Sequence, residues 1–190
     1  QEVVTTREWT VWGKAAAQPT EKLTTWLKLA HSWRDNSTYG TATWFYLENP
    51  LLRKFNLADR DRNSAEVHLD YAVSEKISLG LSADVADDDY NNSPIGLTNS
   101  RSANVALEIA AAITEKTHAR GFVQTQQIRS NQNGSQAFAG PDWTGRVKDQ
   151  FDTIGGGIKY TVTENKFDLG ANVMFSRSRS DTSVQTGIGE

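Results

Sequence analysis

Four copies of one short pattern cut this chain into hairpins, and that rhythm constrains the fold more than any other feature. The copies are Pro19-Thr20-Glu21-Lys22, Val73-Ser74-Glu75-Lys76, Ile113-Thr114-Glu115-Lys116 and Val162-Thr163-Glu164-Asn165-Lys166. Each lies between two runs with strand character, and a small hydroxyl residue followed by Glu-Lys or Glu-Asn suits a tight, solvated turn. Short turns are therefore expected near 18–22, 73–76, 113–116 and 162–166. Between them lie long polar stretches, read as loops near 34–63, 87–101 and 130–148, and the tail after Ser178 starts like a fourth. A meander that sends short turns to one side and long loops to the other has the asymmetry of an outer-membrane barrel.

The segments between turns alternate with period two, which puts each set on one side of a sheet. Val67, Leu69, Tyr71 and Val73 oppose Glu66, His68, Asp70 and Ala72; Ile77, Leu79, Leu81, Ala83 and Val85 oppose Ser78, Gly80, Ser82, Asp84 and Ala86. The clearest case is Phe167, Leu169, Ala171, Val173 and Phe175 against Asp168, Gly170, Asn172, Met174 and Ser176. Val67, Leu69, Tyr71, Leu79, Leu81, Phe167, Leu169, Val173 and Phe175 are expected to face lipid. Glu66, His68, Asp70, Asp84, Asn104, Glu108, Asp168 and Asn172 are expected to face a lumen. Phe167 to Phe175 spans about 26 Å at about 3.3 Å per residue, or roughly 20 Å after strand tilt, close to the height of an apolar band. Tyr71, Tyr160 and Phe167 lie near the short turns, and Trp33, Phe151 and Phe175 near the long-loop ends, as aromatic girdles would.

Composition closes other routes. Hydrophobic residues make up 37% of the 190, lean for a globular core, and no apolar run approaches the roughly 20 residues of a spanning helix. A barrel survives this test because alternating strands average out as hydrophilic. The absence of cysteine excludes disulfides, thiolate metal sites and CxxCH haem attachment in this chain. A net charge of −3 argues against a nucleic-acid binder. Gln1-Glu2-Val3-Val4 is no signal peptide. Ala103–Ile113 is Ala-rich, yet Asn104, Glu108 and the adjoining turn favour a strand. Lys116–Ile128 has a weak apolar face, and a bulge at Gly155-Gly156-Gly157 would reconcile the opposite parities of Phe151 and Tyr160. About eight strands result, and the fold class is all-β, an antiparallel up-and-down transmembrane barrel.

The segment Phe55-Asn56-Leu57-Ala58-Asp59-Arg60-Asp61-Arg62-Asn63 resembles a signature of the decahaem-associated outer-membrane proteins, the MtrB/PioB family. Val73–Gly80, Gly96–Arg101 and Lys166–Arg179 look like hairpins of the same family, so the resemblance covers roughly residues 50 to 185. It implies a barrel of more than twenty strands enclosing a periplasmic decahaem c-type cytochrome, often with an outer-surface multihaem cytochrome, that carries electrons across the outer membrane. The chain itself would hold no cofactor; haem would belong to the partner. Eight strands are too few for such a barrel, so residues 1–190 are expected to be a segment of a longer one. A complete eight-stranded barrel is the alternative, and its interior would be filled by its own side chains.

Other constellations are weaker. Asp84, Asp87, Asp88 and Asp89 could hold calcium, but the run lacks the glycine and closing glutamate of a calcium-binding hand, and a solvated loop explains it. Arg60 and Arg62, interleaved with Asp59 and Asp61, either contact haem propionates or a partner's acidic face, or belong to a loop that fixes its own shape by salt bridges. His31, His68 and His118 fall in three different strands without paired-ligand spacing. Glu66 and Asp70 could imitate a hydrolase pair but read as hydrated wall residues, and no GxSxG elbow occurs. Besides the conduit sheath, the sequence leaves open a porin or solute transporter and a soluble β-rich binding or adhesion domain.

Overall fold

A computed structural model describes residues 3–38, 49–136 and 139–187. Among the described residues nine strands form one sheet: β1 (Thr6–Thr20), β2 (Leu23–Asn36), β3 (Leu52–Arg53), β4 (Arg60–Ser74), β5 (Ile77–Asp89), β6 (Ile95–Ala112), β7 (Thr117–Gly134), β8 (Trp143–Thr163) and β9 (Phe167–Thr186). The long strands follow sequence order, β1-β2-β4-β5-β6-β7-β8-β9, and every adjacent pair is antiparallel. Two-residue β3 runs parallel to the start of β6, with Leu52 opposite Ile95. Among the described residues β1 and β9 are not paired, so the sheet is an open wall and not the closed eight-stranded barrel held as an alternative.

The short connections occupy 21–22, 75–76, 113–116 and 164–166. In the last, Asn165 has φ 57°, a left-handed value that asparagine tolerates in turns. The long connections are shorter than expected. Arg34–Asn36, Arg60–Asn63, Asp87–Asp89, Ile95–Arg101, Ser130–Gly134 and Trp143–Lys148 are strand, not loop, and so is the tail from Ser178 to Thr186. The loops between long strands reduce to 37–59, 90–94 and 135–142; 39–48 of the first and 137–138 of the third lie outside the described residues. Asp59 alone of the signature quartet stays in a loop, and Arg60, Asp61 and Arg62 open β4.

No bulge breaks β8 at the glycines: Gly155, Gly156 and Gly157 pair in unbroken register with Phe122, Gly121 and Arg120. The register shift between β8 and β9 falls at Thr161–Thr163, beside the turn. Phe151 therefore does belong to the opposite face from Tyr160 and leaves the girdle proposed for it. The glycines instead make room. A Cβ on Gly155 would lie 2.6 Å from the Phe122 ring, so Phe122 turns onto the polar face and covers backbone there. The apolar side of β7 is weak because Gly121, Thr125 and Gln127 stand on it.

Among the described residues the sheet is a single layer without an interior: the buried apolar residues are Ala58, Ala86 and Ile95, whereas Val173, Phe175 and Trp9 are 75%, 68% and 63% exposed. A sheet with an apolar face has to cover it with something, a second layer or lipid.

Candidate functional sites on the two faces

Register carries side-chain facing from strand to strand, because directly paired residues share a face. One face is apolar on the turn side. Its rows include Leu27–Val67–Ala83–Val105 and Leu69–Leu81–Leu107–Val123–Ile154–Phe175. All nine residues expected to face lipid stand on it, with Trp33 of β2 directly opposite Trp9 of β1 near the loop end. The band steps toward the turns along the sheet: the row that carries Ala83 and Val105 continues as Thr125, Asp152 and Arg177. Tilted strands produce such a step.

The eight residues expected to face a lumen share the other face, and most are cross-linked. Lys28 Nζ lies 2.9 Å from Glu66 Oε1. Asn104 donates to Asp84 Oδ1 at 2.9 Å, and Gln124 donates to Asn104 Oδ1 at 2.8 Å, a ladder over three strands. Asp168 accepts from Thr161 at 2.7 Å and pairs with Lys159 at 2.9 Å. Asn172 accepts from Arg120 at 3.1 Å. Glu108 stands between Gly80 and Phe122. His68 Nε2 lies 2.9 Å from Asp70 Oδ2, and its ring stacks on Trp26 at 5.6 Å. Lys14 sits 4.1 Å above the Trp26 ring, a cation–π contact.

Sequence reasoning missed Trp12, Trp26, Phe122 and Trp143, which also stand on the polar face. The signal was present in parity, since Trp26 alternates out of phase with Leu27 and Leu29.

At the loop end the signature residues act as braces. Asp59 Oδ1 accepts from the Asn36 backbone N–H at 2.7 Å, and Asp59 Oδ2 from Asn92 at 3.3 Å. Asp61 Oδ2 accepts from Asn91 at 2.6 Å. Arg60 donates to Glu8 at 2.9 Å and lies 3.7 Å from Asp88, which Arg62 approaches to 3.6 Å. Arg34 donates to the carbonyls of Phe55 and Ala58 at 2.6 and 3.0 Å, tying segment 49–59 over the strand ends. Burial, with Asp88 adding to it, pushes the adjoining Tyr90 phenol above its ordinary pKa. The salt-bridged reading describes these contacts, except that Arg60, Asp61 and Arg62 do so from a strand.

The acidic run splits by parity: Asp84 and Asp88 stand on the polar face, Asp87 and Asp89 on the other. Among the described residues no three His, Cys, Asp or Glu side chains converge as a metal-binding group. His31 stands on the apolar-face side beside Asn63, and His118 on the polar face opposite Lys159, so the three histidines do not meet.

The sequence profile of the outer membrane beta-barrel porins designated MtrB/PioB matches residues 1–190. The chain is 37% identical over 190 residues to a protein named Outer membrane protein MtrB from Shewanella baltica (strain OS185). That match covers 99% of this chain and 27% of the relative, so the chain spans about a quarter of the relative's length.

Proposed function

Because this chain belongs to the MtrB/PioB family of outer-membrane β-barrel porins, we propose that it forms part of a barrel wall around a multihaem c-type cytochrome. The protein resides in the outer membrane. In this reading the apolar face meets lipid and the polar face lines the lumen. The short turns lie on the periplasmic side and the long loops outside, as in other such barrels. The chain contributes insulation and docking and takes no catalytic step. It carries no cofactor of its own; haem sits on the periplasmic partner, and an outer-surface multihaem cytochrome receives or delivers electrons at the loop end.

The carrying observation is the turn-side separation of an apolar from a polar face over eight long strands, whose outer edges are unpaired among the described residues. Such a wall suits a large barrel. The relative's length is roughly 700 residues (190/0.27), and at the present 190/8, or about 24 residues per long strand, it could form up to about 29 strands. A barrel of about 20 to 30 strands, spaced about 4.8 Å and tilted about 40°, is roughly 40 to 60 Å across. A folded domain of about 100 residues, with a radius of gyration of about 13 Å, fits inside the upper part of that range. Eight strands alone would enclose only roughly 16 Å.

The test is purification of the full-length protein from its native membrane in mild detergent, followed by a haem stain and a visible spectrum. The expected result is co-purifying c-type haem with none covalently attached to this polypeptide. A colourless, detergent-dependent barrel would replace the conduit with a solute porin.

A further inference from the structure

The apolar band ends abruptly on β2 to β6. Its last row runs Gly13–Leu29–Ala65–Val85–Ala103, and the next row on the same face runs Val11–His31–Asn63–Asp87–Arg101, polar from His31 onward. The two rows are two residues apart along each strand, about 7 Å, with nothing between them on this face. One row further stand Trp9 and Trp33, directly opposite one another. A depression of about 540 Å³ straddles the edge, with Leu29, Ala65 and Val85 on its apolar side and Asn63, Asp87 and Arg101 on its polar side. Asp87 and Arg101 are cross-strand partners, yet neither has an ion-pair partner within 4.0 Å among the described residues. His31 and Asn63 bond each other, Nδ1 to Oδ1 at 2.9 Å, and so leave that charge pair alone. Arg129 extends the positive side to β7, and Asp61 and Asp89 stand one row beyond the negative side on β4 and β5.

We propose that this cleft holds the zwitterionic phosphoethanolamine headgroup of a membrane lipid, with the phosphate on Arg101, the ammonium on Asp87 and an acyl chain over Leu29, Ala65 and Val85. The inference rests on the reading that the apolar face meets lipid. Two observations select that occupant. The first is depth. The charged row adjoins the last apolar row directly and lies just inside the tryptophan pair, and tryptophan gathers at the headgroup level of a membrane interface. The second is charge. A zwitterion carries its two charges a few bonds apart, as Asp87 and Arg101 carry theirs on paired strands with Cα atoms about 5 Å apart. The Arg101 guanidinium matches phosphate oxygens in a fork. A purely anionic headgroup would set its phosphate beside the Asp87 carboxylate with no ammonium to offset the repulsion.

The experiment uses the full-length protein with its native partners in mild detergent. Phosphatidylethanolamine and phosphatidylglycerol with the same acyl chains are offered in equal amounts, and lipid retained per protein is read by mass spectrometry. The wild type is expected to retain phosphatidylethanolamine severalfold over phosphatidylglycerol. Arg101→Gln should lower that retention about ten-fold, the loss of one charge-assisted contact. Asp87→Asn should erase the preference between the two lipids, since it removes the partner of the ammonium and keeps that of the phosphate. Ala65→Phe fills the depression without touching a charge and should lower retention of both. Lipid A with and without phosphoethanolamine, offered in the same way, tells whether the headgroup arrives on a glycerophospholipid or on a glycolipid. Equal retention of the two phospholipids by the wild type, or an unchanged preference in the variants, overturns the cleft. So does an equal loss with Arg146→Gln, which stands far beyond the band, because positive charge at large would then explain retention. A nitroxide on Leu169→Cys in proteoliposomes keeps this failure apart from a wrong facing. Relaxation by a water-soluble nickel chelate in place of oxygen sinks the facing itself, whereas relaxation by oxygen with no lipid preference sinks the cleft alone.

Discussion

The turn-side and loop-side halves of the same strands obey different rules. In β9, Phe167 to Phe175 alternate strictly with Asp168 to Met174, whereas Arg177, Arg179, Asp181, Ser183 and Gln185 continue the apolar face as polar residues with no change in backbone pairing to β8. The strand is equally regular in both halves; only its side chains change. Alternation is thus a record of where one face meets a low-dielectric neighbour, not a condition for being a strand. Where water bathes both faces, the hydrogen-bond ladder and cross-strand side-chain bonds suffice.

The sharpest way to break this comparison is to put the same charge on the same face in each half. Leu169→Arg, inside the apolar band, is expected to cost about 2 to 4 kcal/mol and to abolish outer-membrane assembly. Ser183→Arg, on the same face but beyond the band, should stay within about 0.5 kcal/mol of wild type. Asn172→Arg, on the polar face, should assemble and disturb the docked partner, since it also removes the acceptor that Arg120 uses. Outer-membrane levels and urea unfolding in bilayers measure all three. Equal losses for Leu169→Arg and Asn172→Arg would mean that the faces have not been told apart.

The same contrast explains what was legible in the sequence. The antiparallel meander, the family and the membrane were readable, because turn composition and period-two alternation are local. So was the shared facing of Glu66, His68, Asp70 and Asp84, since parity propagates along a strand. The limits of the strands were not. Arg60–Asn63, Asp87–Asp89 and Ser130–Gly134 are polar on both sides, and without alternation such stretches look like loops. Nor could parity say that Phe122 packs on Gly155, because that contact joins β7 to β8 through a register that no single strand encodes.

If side-chain bonds replace lipid as the brace of the loop-side half, Asp88→Ala should loosen that half alone. Asp88 is 8% exposed and is approached by both Arg60 and Arg62, so its loss is expected to cost about 1 to 3 kcal/mol. Hydrogen exchange should accelerate in residues 49–63 and 87–96 and stay unchanged from Leu69 to Leu81. Uniform acceleration across the sheet would show that the two halves open as one unit, and the distinction between them would be lost.

The smallest effect probes the polar face within the turn-side half, where Lys28 and Glu66 lie 2.9 Å apart with side chains 33% and 37% exposed. A double-mutant cycle with Lys28→Met and Glu66→Gln should give a coupling of about 0.2 to 1 kcal/mol, as for a hydrated pair. In a water-filled lumen that coupling shrinks as salt rises toward about 1 M, where screening acts within about 3 Å. A salt-insensitive coupling of about 3 kcal/mol or more would instead describe a pair shut away from water. If a cytochrome co-purifies as proposed, the cycle measured with and without it becomes a test of occupancy: a coupling that grows and loses its salt dependence only when the partner is present puts the partner over this row, whereas identical values in both preparations leave Lys28 and Glu66 facing open water.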